Sequence, residues 1–245
     1  MFSVKDKIIC VTGSRGLLGT KIINTLQEQG AIAVELDIDK NYHNDHYYLM
    51  NISNEEEVKE TVLKIQKKFG RIDGWINNAY PRTKDWGDKF EDVKYESWRQ
   101  NIDMHLNGYF ICCQTVLKIM KKQNSGSLIN MSSIYGLVAP DFSIYENTEM
   151  TMPVAYSAIK GGINTLTRYL ASYFGQYNIR VNSISPGGII NDQPNDFLQK
   201  YINKVPSKRM GKESDITSAV VYLMSEESSY INGHNLVIDG GWSII

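Results

Sequence analysis

Hydrophobic residues along the chain follow two alternating patterns. Short apolar runs such as KIICVTG and AIAVELD are typical of buried strands, whereas GLLGTKIINTLQEQG repeats its apolar positions at helical spacing. Further strands are predicted at YYLMN, DGWINN, GSLINMS, NIRVNSISPGG and NLVID. The alternation predicts an α/β fold, a doubly wound parallel sheet of about seven strands with helices on both faces.

The helices between these strands begin and end at recognisable residues. Ser53 precedes Glu56 by three positions, a capping box that predicts a helix start, and Gly70 predicts the end of the same helix. Further helices are predicted at about residues 98–122, 194–201 and 214–224, and another carries Tyr156 and Lys160. No repeat, low-complexity tract or linker interrupts the pattern, so residues 1–245 are expected to form one domain.

Composition narrows the possible partners. The net charge of −1, without a long basic run, gives no reason to expect nucleic acid. Cys10, Cys112 and Cys113 form an odd set without paired spacing, which favours free thiols in a reducing compartment. The apolar run near the N-terminus is too short for a signal peptide or a membrane span. These observations predict a soluble, cytoplasmic protein.

The first predicted strand leads directly into a glycine-rich turn, TGSRGLLG, and then into a helix. Such a turn lets backbone amides approach a pyrophosphate, although a tight turn for helix–strand packing would also need glycine. Asp37 ends the second strand, where a carboxylate binds an adenosine ribose and repels a 2′-phosphate. Asp37 therefore favours NAD over NADP, and Arg15 weakly favours NADP. The candidate cofactor residues of the turn are Gly13, Ser14, Arg15, Gly16, Leu17, Leu18 and Gly19.

Tyr156 lies four residues before Lys160 in YSAIK, which places both side chains on one helix face. A neighbouring ammonium favours the phenolate, so the pair is suited to proton transfer. The spacing alone is weak evidence, because Tyr80 and Lys84 share it next to Pro81, where a helix interior is disfavoured. A solvated helix face is the alternative reading of either pair.

Several motifs occur in one order: TGSRGLLG, Asp37, NNA at 77–79, NMSS at 130–133, YSAIK, RVNSISPGG and DGG at 239–241. Together they resemble the short-chain dehydrogenase/reductase family over nearly the whole chain. The resemblance implies a single Rossmann-type domain that exchanges a hydride between a nicotinamide cofactor and a carbonyl or secondary alcohol. A regulator that only binds the dinucleotide, and an epimerase or dehydratase that retains NAD, are the alternatives.

The same resemblance assigns roles to individual residues. Ser133 would bind the substrate oxygen, Tyr156 would be the acid/base, and Lys160 would lower the pKa of Tyr156 and hold the nicotinamide ribose. Ser133 also fits a simpler role as a strand end or helix cap. The remaining cofactor contacts implied are Asn51, Ile52, Asn78, Ala79, Pro186, Gly187 and Ile189.

The chain departs from the family pattern at several positions. Its glycine spacing, T-G-x-x-G-x-x-G, is that of longer members that modify sugar nucleotides, and Tyr80 replaces a glycine beside the expected cofactor cleft. His105 occupies the position of an asparagine that supports a water relay behind the lysine. A histidine titrates near neutrality and so suits a relay, but a packed helix histidine fits equally well.

Two segments, 134–153 and 190–212, are expected to choose the substrate. The second contains Lys204, Lys208 and Arg209, which suit a phosphate or carboxylate but also a solvated surface. The run NNAYPRTKDWGDKFEDV is similar to dehydrogenases of flagellin-glycan and nonulosonic-acid synthesis, which implies a small-molecule substrate derived from a sugar or amino sugar.

Neither a metal nor a membrane is expected as a partner. His43, Asp45 and His46 lie in a predicted loop and make a poor ligand set, since catalytic zinc usually needs three protein ligands. The family resemblance and the glycine pair Gly161–Gly162 imply that the chain forms a homodimer or homotetramer.

Overall fold

The computed structural model describes residues 2–245, and a seven-stranded sheet forms its centre. Every strand pair is parallel, and the order across the sheet is β3-β2-β1-β4-β5-β6-β7. The strands are β1 Ile8–Thr12, β2 Ile32–Asp37, β3 Tyr47–Leu49, β4 Gly74–Asn77, β5 Gly126–Met131, β6 Ile179–Pro186 and β7 Asn235–Ile238. The predicted doubly wound parallel sheet is confirmed.

Helices cover both faces of this sheet. Helices α1 and α7 pack on one face, and α2, α4 and α5 pack on the other. The helices are α1 Leu17–Glu28, α2 Glu55–Phe69, α3 Tyr95–Asn101, α4 Gly108–Gln123, α5 Val154–Phe174, α6 Asn195–Lys204 and α7 Glu213–Met224. The chain therefore has the three-layer arrangement that buries a parallel sheet completely.

Strand β1 shows why its sequence is apolar at every position. Ile8 and Cys10 contribute to the core under α2, α4 and α5, whereas Ile9 and Val11 contribute to the core under α1 and α7. Successive side chains of a strand point to opposite faces, so a strand covered on both sides needs apolar residues throughout.

The start of α2 differs from the predicted capping box. Asn54, not Ser53, is the N-cap, and its Oδ1 accepts hydrogen bonds from the backbone N–H groups of Glu56 and Glu57 at 3.1 and 3.3 Å. The Ser53 hydroxyl donates instead to the Met104 carbonyl at 3.2 Å. Adjacent Ser and Asn residues are both good caps, and a tertiary contact decides between them.

The helix predicted at residues 98–122 is interrupted. Helix α3 starts earlier, at Tyr95, and a π-helical segment, Ile102–Asn107, separates it from α4. This segment contains His105. A π-bulge widens one helical turn and often occurs at functional sites.

Other structural features bear on the predicted partners. None of the helices within residues 2–245 has the length and apolar content needed to cross a bilayer. In the same residues, no group of three His, Cys, Asp or Glu side chains is arranged to hold a metal ion. Cys10, Cys112 and Cys113 are buried and free.

Candidate active site

A cavity of about 970 Å³ lies along the carboxyl edge of the sheet, where the loops that follow the strands meet. Most of the predicted site residues line it: Gly13, Arg15, Gly16, Leu17, Leu18, Asp37, Asn51, Ile52, Asn78, Ala79, Ser133, Tyr156, Lys160, Pro186, Gly187 and Ile189. Ser14, Gly19 and His105 are buried and do not line the cavity. Residues from distant parts of the sequence therefore share one large site of a size typical for ligands.

The glycine turn after β1 has no room for side chains. A Cβ atom on Gly13, whose φ is +65°, would lie 2.6 Å from the Cα of Ala79, and one on Gly19 would lie 2.0 Å from the Gly13 carbonyl oxygen. Asn78 fastens the turn by donating through Nδ2 to the carbonyls of Thr12 and Gly13 at 3.1 and 3.0 Å. These contacts explain the first and third glycines by close packing of the turn, the helix and β4.

The start of α1 fits a pyrophosphate group. No side chain caps this helix at Gly16, so the N–H groups of its first turn lack side-chain partners beside the cavity. A Cβ atom on Gly16 would meet only the Gly13 carbonyl, at 3.4 Å. Open backbone donors at a helix N-terminus form a suitable site for phosphate oxygens.

The Asp37 carboxylate is fixed at the end of β2. Its Oδ2 accepts a hydrogen bond from the Arg15 backbone N–H at 2.8 Å, and its Oδ1 accepts one from the Ile38 N–H at 2.7 Å. Both donors are backbone N–H groups, and they fix the position of the carboxylate in the cavity wall.

The Arg15 guanidinium is held by two other side chains, those of Tyr42 and Glu35. It lies 3.7 Å from the centre of the Tyr42 ring, and its Nη1 is 3.8 Å from the Glu35 Oε2. Glu35 is buried, and its Oε1 accepts from Asn44 Nδ2 at 2.6 Å. A cation–π contact and an ion pair therefore already engage the only basic side chain of the glycine turn.

Ser133 and Tyr156 meet at the other end of the cavity. Ser133 follows β5, and its hydroxyl lies beside the Tyr156 phenol, whose pKa it acts to lower. The same Ser133 oxygen accepts from the Tyr135 N–H at 3.2 Å as the N-cap of a short 3₁₀ turn. The capping role and the contact with Tyr156 are therefore both present.

Lys160 is buried beneath Tyr156, with 4% of its surface exposed. Its Nζ donates to the Met131 carbonyl at 2.7 Å, lies 3.3 Å from His105 Nε2, and is 5.4 Å from the centre of the Tyr156 ring. Burial disfavours the ammonium and lowers the pKa of Lys160 to about 7.

Burial also raises the pKa of Tyr156, and the neighbouring Ser133 hydroxyl acts in the opposite direction. The pKa of Tyr156 is raised overall, which differs from the lowering predicted from Lys160. The reason is geometric, since the Lys160 ammonium is directed at the Met131 carbonyl and lies over the ring of the phenol.

His105 lies behind Lys160 and is fully buried. Burial and the neighbouring Lys160 charge lower its pKa well below the usual value, so the expected titration near neutrality is wrong. Within residues 2–245, its Nδ1 has no hydrogen-bond partner. The uncharged ring can accept a hydrogen bond from Lys160 through Nε2.

Tyr80 joins these residues in an aromatic cluster. Its ring centre lies 5.6 Å from that of Tyr156, 5.5 Å from that of His105 and 5.6 Å from that of Trp86, always edge-on. Such T-shaped contacts stabilise a fixed arrangement of rings. Tyr80 therefore lies beside the cavity, as predicted from its position after NNA. These ring contacts account for its position without a contact to Lys84.

The two predicted substrate segments contact each other. Lys204 of α6 forms an ion pair with Asp141, and Lys200 Nζ donates to the Glu146 carbonyl at 2.6 Å. Arg209 binds both carboxylate oxygens of Asp215, at 2.6 and 2.9 Å. Lys204 and Arg209 are thus already paired, so the structure does not present them as free anion-binding groups.

Several residues of the cavity wall were not predicted from the sequence. Ile38, Met50, Pro81, Arg82 and Asn191 are among them. Arg82 is the only charged member of this group. Its position three residues after Ala79 was a usable signal, because the loop after a parallel strand lies at the ligand-binding edge of the sheet.

Comparisons with known proteins identify the family of the chain. A family model described as "Enoyl-(Acyl carrier protein) reductase" matches residues 18–243. The "Post-translational flagellin modification protein A" of Campylobacter coli is 36% identical over 98% of this chain and 100% of its own. A sorbose reductase of Candida albicans is 31% identical over 99% of this chain and 89% of its own.

A solved structure is similar over almost the whole fold. The short chain dehydrogenase from Leptospira borgpetersenii, crystallised with bound NAD⁺, is 34% identical and has a TM-score of 0.90, over 98% of this chain and 94% of that one. The family match, the sheet order and the relatives all indicate the same family. The chain belongs to the short-chain dehydrogenase/reductase family, whose members are NAD(P)-dependent oxidoreductases.

Proposed function

We propose that the protein transfers a hydride between NAD and a carbonyl or secondary alcohol of a sugar or amino-sugar derivative. One observation carries the proposal: Ser133, Tyr156 and Lys160 line the same cavity as the glycine turn and Asp37, and β5, which precedes Ser133, lies three strands from β2, which ends at Asp37. A dinucleotide with its adenosine at Asp37 would bring its nicotinamide toward Tyr156. When bound, the nicotinamide supplies or accepts the hydride.

The chain's own residues would handle the substrate oxygen and its proton. In the reducing direction, the Tyr156 hydroxyl gives its proton to the carbonyl oxygen, and in the oxidising direction the phenolate takes it back. Ser133 would hydrogen-bond that oxygen and orient it. Because the pKa of Tyr156 is raised, the phenol begins the reducing reaction with its proton in place.

Lys160 and His105 would support this proton transfer. A protonated Lys160 stabilises the phenolate that remains after Tyr156 has given up its proton. We assign His105 a positioning role, because its Nε2 and the Met131 carbonyl hold the Lys160 Nζ between them. His105 would thus replace the family's asparagine as an acceptor behind the lysine.

We further propose that NAD is preferred. The Asp37 carboxylate would bind the ribose hydroxyls and repel a 2′-phosphate. Arg15 would not offset this repulsion, because Tyr42 and Glu35 already engage its guanidinium. The relative crystallised with NAD⁺ supports the same preference.

A sugar-derived substrate is supported by the relatives. The two curated proteins described above are named for flagellin modification and for sorbose reduction. We also propose that the chain acts as one cytoplasmic domain, in a homodimer or homotetramer formed through α4 and α5. Phe110, Tyr169 and Tyr173 support this assembly, since these large side chains are exposed on those helices.

The central role of Tyr156 predicts a selective loss of turnover. Tyr156→Phe removes the transferred proton and keeps the ring, so kcat should fall by about 10²-fold or more while NADH affinity stays unchanged. NADH absorbance during turnover of a panel of keto sugars and polyols, together with NADH titration, measures both. Tyr80→Phe is the matched control and should stay active.

Full turnover by Tyr156→Phe would contradict this mechanism. The same panel of compounds distinguishes the two alternative functions inferred from the sequence. A regulator would bind NAD without turnover of any compound, and an epimerase would convert its substrate without net change in NADH.

Asp37 predicts the cofactor preference. Asp37→Asn removes the charge and keeps an acceptor, so the ratio of kcat/KM for NADP to that for NAD should rise by about tenfold. Steady-state kinetics with both cofactors measure the ratio, and Asp39→Asn controls for a nearby charge. An unchanged ratio in Asp37→Asn would show that another group excludes NADP.

Lys160 predicts how stability depends on pH. Its folded-state pKa of about 7 lies below the ordinary value of 10.5, so the unfolded chain binds more protons between these values. The free energy of unfolding should therefore rise with pH between them, by roughly 3–5 kcal/mol at most. The free energy of unfolding is measured with urea across this pH range, and the difference between wild type and Lys160→Met isolates the rise. Lys118→Met, at an exposed position, is the control. Parallel pH profiles for wild type and Lys160→Met would refute the shift.

The positioning role of His105 predicts different outcomes for two substitutions. His105→Asn keeps an acceptor for Lys160 and should retain kcat within about threefold, whereas His105→Phe keeps the aromatic packing, removes the acceptor and should lower kcat about tenfold. The pH profile of kcat should shift only in His105→Phe. Equal activity of both variants would mean that the ring serves packing alone.

A further inference from the structure

Arg82 is an unpaired cation in the wall of the cavity. Three basic side chains line this cavity: Arg15, Arg82 and Lys160. Arg15 is engaged by Tyr42 and Glu35, and Lys160 is buried against Met131 and His105. Within residues 2–245, Arg82 forms no ion pair, and its guanidinium interacts with the Tyr80 side chain, where it acts to lower the pKa of the phenol. The N–H donors that do not face Tyr80 are available to a ligand.

The position of Arg82 is on the substrate side of the cavity. Its guanidinium lies 5.2 Å from the centre of the Tyr80 ring, and the Tyr80 ring contacts that of Tyr156 edge-on at 5.6 Å. Tyr80 thus contacts both Arg82 and Tyr156, the proposed acid/base. Asp37 and the glycine turn lie on other loops of the same cavity, after β2 and β1.

The backbone on either side of Arg82 is anchored. Tyr80 is fixed by Trp86 and His105, as described above. On the other side, the Thr83 N–H donates to Asn101 Oδ1 at 3.1 Å, and Asn101 Nδ2 donates to the Thr83 hydroxyl at 2.9 Å. Asn101 is buried at the end of α3. The guanidinium therefore projects from a fixed support, which reduces the entropy lost when it binds a ligand.

The carboxylate nearest to Arg82 in the sequence does not neutralise it. Asp85 Oδ1 accepts a hydrogen bond from the Ser97 hydroxyl at 2.8 Å, and the Thr83 and Ser97 hydroxyls lie 3.1 Å apart. Asp85 is thus directed at α3. An exposed arginine beside an aromatic ring and without an acidic partner is suited to bind a carboxylate or phosphate through two parallel hydrogen bonds.

We propose that Arg82 binds an anionic group of the substrate, a carboxylate or a phosphate, so that the enzyme prefers acidic sugars to neutral ones. The proposal rests on the sugar substrate proposed above and adds its charge. It replaces the expectation that Lys204, Lys208 or Arg209 would hold such a group, because Lys204 and Arg209 are paired with carboxylates and none of the three lines the cavity. Tyr80 would offer a ring face beside the sugar carbons while Arg82 holds the anion.

A binding experiment tests this proposal without turnover. The complex of the enzyme with NADH is titrated by calorimetry with D-sorbitol, D-gluconate and D-sorbitol 6-phosphate, which NADH cannot reduce. These ligands share one polyol chain and differ in carrying no anion, a carboxylate or a phosphate. Wild type should bind at least one of the acids about tenfold more tightly than sorbitol, and the two acids identify which anion is preferred.

Variants assign any preference to Arg82. Arg82→Ala should abolish it, Arg82→Lys should keep part of it, and Lys84→Ala, which removes a nearby exposed lysine outside the cavity wall, should leave it unchanged. High salt should weaken the preference for the acidic ligands in wild type and should have no such effect in Arg82→Ala. NADH affinity should be equal in all variants, which also shows that they are folded.

Several results would overturn the proposal. Wild type without a preference for either acid, including no measurable binding of both, would contradict it. So would a preference that survives in Arg82→Ala, or a loss of NADH affinity in that variant by the same factor, since Arg82 would then belong to the cofactor site. Failure of the hydride-transfer function is recognised separately, by the absence of turnover when wild type is assayed on the panel of keto sugars and polyols.

Discussion

The reversal of strand order beside β1 is the constraint on which the rest of the structure depends. The chain builds β2 and β3 on one side of β1 and then crosses to β4 on the other, so β1 and β4 are neighbours and the residues that follow them meet at the carboxyl edge. Gly13 and Ala79 then approach so closely that only glycine fits the turn. Residues of this junction line the cavity, and the residues proposed for cofactor and substrate lie on the loops and helices around it.

Burial of Lys160 is the second determinant of the site. Removing an ammonium from water is costly, and the Met131 carbonyl and His105 Nε2 compensate this cost only in part, which lowers the lysine pKa. The same burial raises the pKa of Tyr156. Compared with water, the structure therefore favours the protonated phenol of Tyr156 and the neutral amine of Lys160. A bound dinucleotide would add charges and hydroxyl groups to this balance.

The sequence alone predicted the sheet, the two layers of helices and most of the cavity wall. It could do so because a strand buried on both faces must be apolar throughout, and because glycine turns and polar strand ends recur at the same edge of a parallel sheet. The cap at Asn54 and the π-helical segment at Ile102–Asn107 were not predictable in this way, since each depends on tertiary contacts rather than on local periodicity. The same holds for the pairing of Lys204 with Asp141 and for the availability of Arg82.

A crystal structure of the enzyme with NAD⁺ would test the central claim most directly, namely that the two ends of the cavity serve the two ends of one dinucleotide. We expect the adenosine ribose on the Asp37 carboxylate, the pyrophosphate at the start of α1, and the nicotinamide ribose within hydrogen-bond distance of Lys160 Nζ. The nicotinamide ring should then lie beside Tyr156 and Ser133. A nicotinamide that lies away from Tyr156, or an adenosine that does not contact Asp37, would contradict the account.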